Sequence, residues 1–376
     1  MFLILGLLIA CEDDDTEKQD DDSGNDKNDE TTLDYDEVFR PEVEEATVES
    51  WVQNLEIPWS LVFLSTDTAL VAERPGRIRL IVNGELYNEP YLEIDEVVHQ
   101  GEGGLMGLAV HPEFEENKYL YAMYTYEEDG ELFNKVKRFI HQGGTAEIDE
   151  DVIAGIPGDH IHNGGRIDFG PDGKLYVCTG DANEENLAQY RDNLAGKLLR
   201  LNDDGSVPDD NPFDSPVYTY GHRNPQGIAW NPDDHELFQS EHGPVAHDKV
   251  NHIVGGQNYG WPEVDGLDES GEFANPVVLW PDRSVPPSGM TFHQGDIFLA
   301  TLASEALVRI ILDEEADQPT VRKIERWFAE DERNGDYGRL RDATEGPDGN
   351  LYFLSSNRDG RGSPQADDDQ IYRVSY

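Results

Sequence analysis

From about residue 45 the chain is a succession of short apolar runs separated by Gly, Pro, Asn and Asp, with almost no helical periodicity. Runs of this length bounded by turn formers predict strands. One unit recurs, a polar turn followed by an apolar strand: Thr68-Ala-Leu-Val-Ala72, Lys118-Tyr-Leu-Tyr-Ala122, Lys174-Leu-Tyr-Val-Cys178, Glu236-Leu-Phe-Gln-Ser240, Asp296-Ile-Phe-Leu-Ala300 and Asn350-Leu-Tyr-Phe-Leu354. Aligned on Leu70, Leu120, Leu175, Leu237, Ile297 and Leu351, the units are 50, 55, 62, 60 and 54 residues apart. Each is followed by a second strand, from Gly76-Arg-Ile-Arg-Leu80 in the first unit to Gln370-Ile-Tyr-Arg-Val374 in the last. Six repeats of this length predict an all-β fold, a six-bladed β-propeller of four-stranded blades spanning 45–376. A β-sandwich with coincidental spacing is the alternative.

The first 44 residues differ. Met1 to Cys11 is an apolar run ending Leu8-Ile9-Ala10-Cys11, too short to span a bilayer as a helix. It reads as an export signal whose end resembles a lipobox, so Cys11 is the expected lipidation site and the membrane surface an expected partner. Residues 12–44 are rich in Asp and Glu and read as a solvated tether. The expected location is the cell surface or another extracytoplasmic compartment.

Charge narrows the partners. With 28 Lys and Arg against 79 Asp and Glu among 376 residues, the formal charge is −51. Such a surface repels phosphate and excludes ordinary nucleic-acid binding. It also repels itself unless salt screens it, which points to a salt-loving source. Cys11 and Cys178 are the only cysteines, which excludes a disulfide framework, and the apolar surroundings of Cys178 predict a buried reduced thiol.

In a propeller, residues at one phase of each repeat converge on the axis. His162 precedes its anchor Leu175 by 13 residues and Arg223 precedes Leu237 by 14, while Arg339 and Arg341 precede Leu351 by 12 and 10. One imidazole and three guanidiniums are thereby expected at one mouth. Arginine forks match carboxylates and phosphates, so the expected ligand is anionic.

Around these residues stand Gly101-Glu-Gly-Gly-Leu-Met-Gly107, His162-Asn-Gly-Gly-Arg-Ile167, Gly180-Asp181 and Tyr220-Gly-His-Arg-Asn-Pro-Gln-Gly227. Further on come Glu241-His-Gly-Pro244, Gln257-Asn-Tyr-Gly-Trp-Pro262 and Arg339-Leu-Arg-Asp342. In this order, between Trp51 and Val374, they resemble the soluble glucose/sorbosone dehydrogenase family, in particular its aldose sugar dehydrogenase branch. The resemblance implies a six-bladed propeller that uses pyrroloquinoline quinone (PQQ) and calcium to oxidise aldoses at C1 to lactones, handing electrons to an external acceptor. It gives His162 the part of general base, Asp181 that of its orienting carboxylate, and Arg223 and Asn224 contacts to the quinone oxygens. Arg339 and Arg341 match the pair on the cofactor carboxylates, and Glu102 a further cofactor contact. The backbone carbonyls of Gly243 and Pro244 match calcium ligands, and Glu241 with Asn251 could serve a second calcium. Tyr259 and Trp261 are possible walls for a flat ring.

One departure is visible. The glucose-oxidising branch carries a lysine near the cofactor carboxylates, in the segment read here as Ala300-Thr-Leu-Ala-Ser304, and no basic residue stands there. The alternative functions are a calcium-dependent lactonase-like hydrolase and a non-catalytic sugar- or protein-binding propeller.

Overall fold

The structure, a computed structural model, describes residues 33, 35–41, 46–313, 316 and 318–375. The apolar segment ending at Cys11 and most of the acidic tether lie outside them.

Six four-stranded antiparallel sheets form six blades. Blade one contains Pro58–Ser65, Thr68–Glu73, Arg77–Val82 and Glu85–Leu86, and blade two Leu105–Val110, Tyr119–Glu128, Glu131–His141 and Ala146–Pro157. Blade three contains Ile167–Phe169, Leu175–Thr179, Lys197–Leu201 and Val217–Tyr220, and blade four Pro225–Trp230, Leu237–Glu241, Asp248–Ile253 and Val278–Trp280. Blade five contains Pro287–His293, Asp296–Thr301, Leu307–Leu312 and Val321–Trp327. Blade six takes Leu340–Glu345, Leu351–Ser355 and Ile371–Ser375 from the end of the chain and its outermost strand, Thr47–Val52, from the beginning. Thr47 pairs with Ser375 and Val48 with Val374, so the two ends of the domain close the ring through backbone hydrogen bonds.

Every repeated apolar unit forms the second strand of its blade, and the strand after it forms the third. The reason lies in burial on both faces. Leu175–Thr179 is buried throughout, because a strand in the middle of a blade packs against the blade on either side. Leu175 and Val177 face Tyr121, Met123 and Trp59, while Cys178 faces Ile228 and Leu237. The Cys178 thiol is fully buried and free, and burial pushes its pKa up to about 12.

The expected tether boundary needs correction. Asp36–Phe39 pairs in parallel with Val321–Trp327 as a fifth strand of blade five. Glu37 of this strand accepts bonds from Arg283 and Arg326, and the Arg326 side chain is fully buried. An acidic stretch is retained on the blade because it neutralises a buried cation.

The first strands of the blades surround the axis. Across it Arg166 Nη2 lies 3.0 Å from Asp342 Oδ1, and Asp342 Oδ2 accepts from the Leu61 amide at 3.1 Å. Gly289 permits this crossing, since a Cβ there would fall 1.8 Å from Asp342 Oδ1. The starts of the first strands and the ends of the second strands share one rim of the ring, and the candidate chemistry gathers on that rim.

Candidate active site

His162 immediately precedes the first strand of blade three, and Asp181 follows its second strand. The two meet with His162 Nδ1 2.8 Å from Asp181 Oδ1. The other carboxylate oxygen accepts Trp261 Nε1–H at 2.9 Å, and the Asn183 amide donates to Oδ1 at 2.9 Å. Asp181 is thus fixed from three sides and buried. An imidazole that donates Nδ1–H to a carboxylate keeps its free lone pair on Nε2, the form required of a base. The His162 backbone is left-handed, with φ of 57°, and packs so closely on Gly180 that a Cβ there would meet the His162 carbonyl oxygen at 1.8 Å. Its amide donates to Glu102 Oε2 at 3.2 Å.

Arg223 and Asn224 precede the first strand of blade four. Asn224 Oδ1 accepts the Gly164 amide at 3.0 Å, which ties this segment to the loop after His162. Arg223 donates its amide to Glu241 Oε1 at 2.7 Å and its Nη1 to the Gly243 carbonyl at 2.8 Å, and its guanidinium lies 5.4 Å from the Trp261 ring. A cavity of about 690 Å³ opens beside these groups, lined by His162, Asp181, Arg223, Pro244, Trp261 and the segment Asn183 to Leu187 with Tyr190.

Arg339 and Arg341 enter from blade six. Arg339 Nε and Nη2 both donate to Asp359 Oδ2, at 3.0 and 2.8 Å. Arg341 donates Nη1 to Gln226 Oε1 at 2.7 Å, and burial pushes its guanidinium pKa down to about 9 against the opposing pull of Asp359.

Several buried nitrogens on this rim have no hydrogen-bond partner: Arg223 Nε, Asn224 Nδ2, Arg341 Nε, Arg74 Nε and His242 Nε2. Donors left unpaired away from water are costly, and a set of them on one rim fits an oxygen-rich anionic ligand.

Sequence reasoning missed four of these residues. Arg74, at the end of the second strand of blade one, is buried with Nη2 bonded to the Gly101 carbonyl and 3.1 Å from His99 Nε2. The charges of Asp359, Glu102, Arg361 and Arg339 all act on it. His242 is buried beside Glu102, Arg341 and Arg223, and burial pushes its imidazole pKa down to about 3. Asp359 and Arg361 lie in the loop between the second and third strands of blade six.

Two expectations are refined. Tyr259 is not a wall of the cavity: its ring stacks on His222 at 4.7 Å and its hydroxyl donates to the His252 carbonyl at 2.8 Å. Trp261 alone of that pair faces the cavity. The Glu241 carboxylate receives His222 Nδ1 at 2.9 Å and Asn251 Nδ2 at 3.0 Å besides the Arg223 amide. Asn251 therefore presents its NH₂ to Glu241, and the pair locks the blade internally. Among the described residues no group of three or more His, Cys, Asp or Glu side chains stands in a metal-binding arrangement. The backbone carbonyls of Gly243 and Pro244 are hard oxygens, that of Gly243 already accepting Arg223 Nη1 at 2.8 Å, and the Gly243 amide is anchored to Asp248 Oδ1 at 2.9 Å.

Residues 55–371 match the family model described as glucose / sorbosone dehydrogenase. An aldose sugar dehydrogenase of Escherichia coli is 32% identical over 357 residues, covering 83% of this chain and 91% of that protein. The crystal structure of an oxidoreductase described as a glucose dehydrogenase, from Thermus thermophilus, superposes with a TM-score of 0.83 at 45% identity, over 88% of this chain and 100% of the other. The PQQ-bound aldose sugar dehydrogenase of Streptomyces coelicolor superposes with a TM-score of 0.80 at 36% identity, over 88% and 98%. With the family model matching residues 55–371 of the 376, the chain belongs to the glucose/sorbosone dehydrogenase family.

Proposed function

We propose that this protein oxidises aldose sugars at C1 to aldonolactones with PQQ and calcium, and delivers the electrons to a separate acceptor. The observation that carries the reading is the meeting of a carboxylate-oriented imidazole with unpaired buried arginine and asparagine nitrogens on one rim of the channel. The PQQ-bound Streptomyces relative supports the choice of cofactor.

In this reading the sugar enters the cavity beside Trp261 and His162 takes the proton of its anomeric hydroxyl on Nε2. Asp181 stabilises the imidazolium that forms and keeps the ring from turning. Arg223 and Asn224 hold oxygens of the bound ring, and Arg339 and Arg341 hold carboxylates. The Gly243 and Pro244 carbonyls are the hard oxygens suited to Ca²⁺. Bound PQQ would supply the hydride acceptor, and Ca²⁺ the Lewis acid that polarises it.

A titration of the apoprotein with PQQ, with and without Ca²⁺, tests this by absorbance. A saturable change relative to free PQQ, converted to the quinol spectrum by glucose, supports the reading, and a spectrum equal to that of free PQQ that glucose does not alter contradicts it. The Met1 to Cys11 sequence further supports export and lipid anchoring, and mass spectrometry of the mature N-terminus checks it by looking for an acylated Cys11.

A further inference from the structure

The loop Asp359-Gly360-Arg361 of blade six joins two parts of the site that lie on different blades. Asp359 Oδ2 accepts Nε–H and Nη2–H of Arg339 and lies 3.8 Å from Arg341 Nη2, while its Oδ1 accepts the Arg361 amide at 2.9 Å. Arg361 then reaches across to blade two, where its Nη1 donates to Glu102 Oε1 at 2.6 Å. The second oxygen of Glu102 accepts the His162 amide, and the Glu102 amide donates to the His160 carbonyl at 2.7 Å. A continuous chain therefore runs from the anion-binding arginines through Asp359, Arg361 and Glu102 to the backbone of the base.

Asp181 holds only the His162 ring. The main chain of His162 is in a left-handed conformation that a residue with a side chain rarely adopts, so something must hold it there. Glu102 holds its amide while the Ala182 amide donates to its carbonyl at 3.1 Å, and Arg361 binds the other oxygen of Glu102. The pair is unequal: the Arg361 side chain is 56% exposed, whereas that of Glu102 is only 19% exposed. Burial alone would raise the Glu102 carboxyl, but His242, Arg361 and the His162 amide outweigh it and hold it well below the usual carboxylate range. Removing Arg361 takes a partner from a mostly buried carboxylate, unlike the loss of a pair between two exposed side chains.

We propose that Arg361 is a positioning residue, which fixes Glu102 so that Glu102 fixes the His162 backbone in register with Arg339. The inference rests on the reading of His162 as the base. Its test is Arg361→Ala and Arg361→Lys in the full chain, with and without Glu102→Gln. Arg361→Ala is expected to lower kcat by about tenfold, a loss of about 1.4 kcal/mol in transition-state stabilisation, with little change in the sugar KM. In ¹⁵N-histidine-labelled apoprotein it is expected to shift the His162 backbone amide resonance. Arg361→Lys should restore both, and Arg361→Ala should have no further effect once Glu102→Gln is present. An unmoved His162 amide, or effects of the two substitutions that simply add, overturns the proposal. Because the resonance is read without cofactor or substrate, it separates this failure from failure of the base assignment, which His162→Ala tests by itself.

Discussion

Asp181 holds the His162 ring at 2.8 Å through one carboxylate oxygen while Trp261 Nε1 holds the other at 2.9 Å, so the carboxylate that orients the imidazole is itself fixed by a tryptophan from a different blade. Sequence spacing alone pairs His162 with Asp181; the third member emerges only when the 254–277 segment folds back over the rim. Asp181→Asn is expected to keep the fold and lower kcat by about 10²–10⁴, because an amide does not stabilise the imidazolium. Steady-state kinetics on the purified variant check this, and a kcat within a factor of two of wild type would remove Asp181 from the mechanism.

Arg341 is buried, and its Nε–H has no hydrogen-bond partner. A hydrogen bond to a charged group contributes about 1.5–3 kcal/mol, so Arg341→Ala should weaken cofactor binding about tenfold to a hundredfold. Isothermal titration of the apoprotein with PQQ in Ca²⁺ measures it. An unaltered Kd would take Arg341 out of the cofactor contact.

Lys197 is a buried amine that donates to the carbonyls of Leu187 at 2.9 Å and Ala188 at 3.0 Å, and also to that of Ala195. Of these, Leu187 belongs to the segment that walls the cavity next to Asp181. Lys197→Met removes the donor of the Ala195 carbonyl, at about 1–3 kcal/mol for an unsatisfied group, while the Leu187 and Ala188 carbonyls keep the Tyr190 and Gly221 amides. The expected outcome is a sugar KM raised about tenfold or more with a smaller effect on kcat, since the wall loosens while the base stays in place. Equal KM values in wild type and variant would show that Lys197 serves only the interior of blade three.

The repeat pattern made the fold readable because each second strand is buried on both faces and so must be apolar. The axial residues were readable where they precede an anchor, as His162 precedes Leu175 and Arg341 precedes Leu351. Arg74 follows Leu70 by four residues, the phase at which Glu241 follows Leu237, so searching after the anchors as well as before them finds it. Asp359 and Arg361 lie in a loop that no repeat fixes, and their places depend on contacts with blades two and six together. Asp36–Phe39 looked like tether because acidic composition hides the alternation that seats Glu37 on Arg326.

The charge of −51 carries its own expectation. At 1 M salt the Debye length falls to about 3 Å, which screens repulsion between separated carboxylates while leaving direct contacts such as Arg339 with Asp359 largely intact. The melting temperature should rise with KCl, and a gain of about 2 kcal/mol would appear as roughly 3 °C in a domain of this size. Differential scanning calorimetry from 0.1 to 3 M KCl checks this; a melting temperature that falls with salt would contradict an adaptation to brine.

The most direct test of the central claim is dye-linked glucose oxidation by the apoprotein in molar KCl, with PQQ and Ca²⁺ added separately and together. Activity is expected only when both are present, and is expected to be lost in His162→Ala. No oxidation of glucose or other aldoses under any of these conditions, with no spectral sign of PQQ binding, would contradict it.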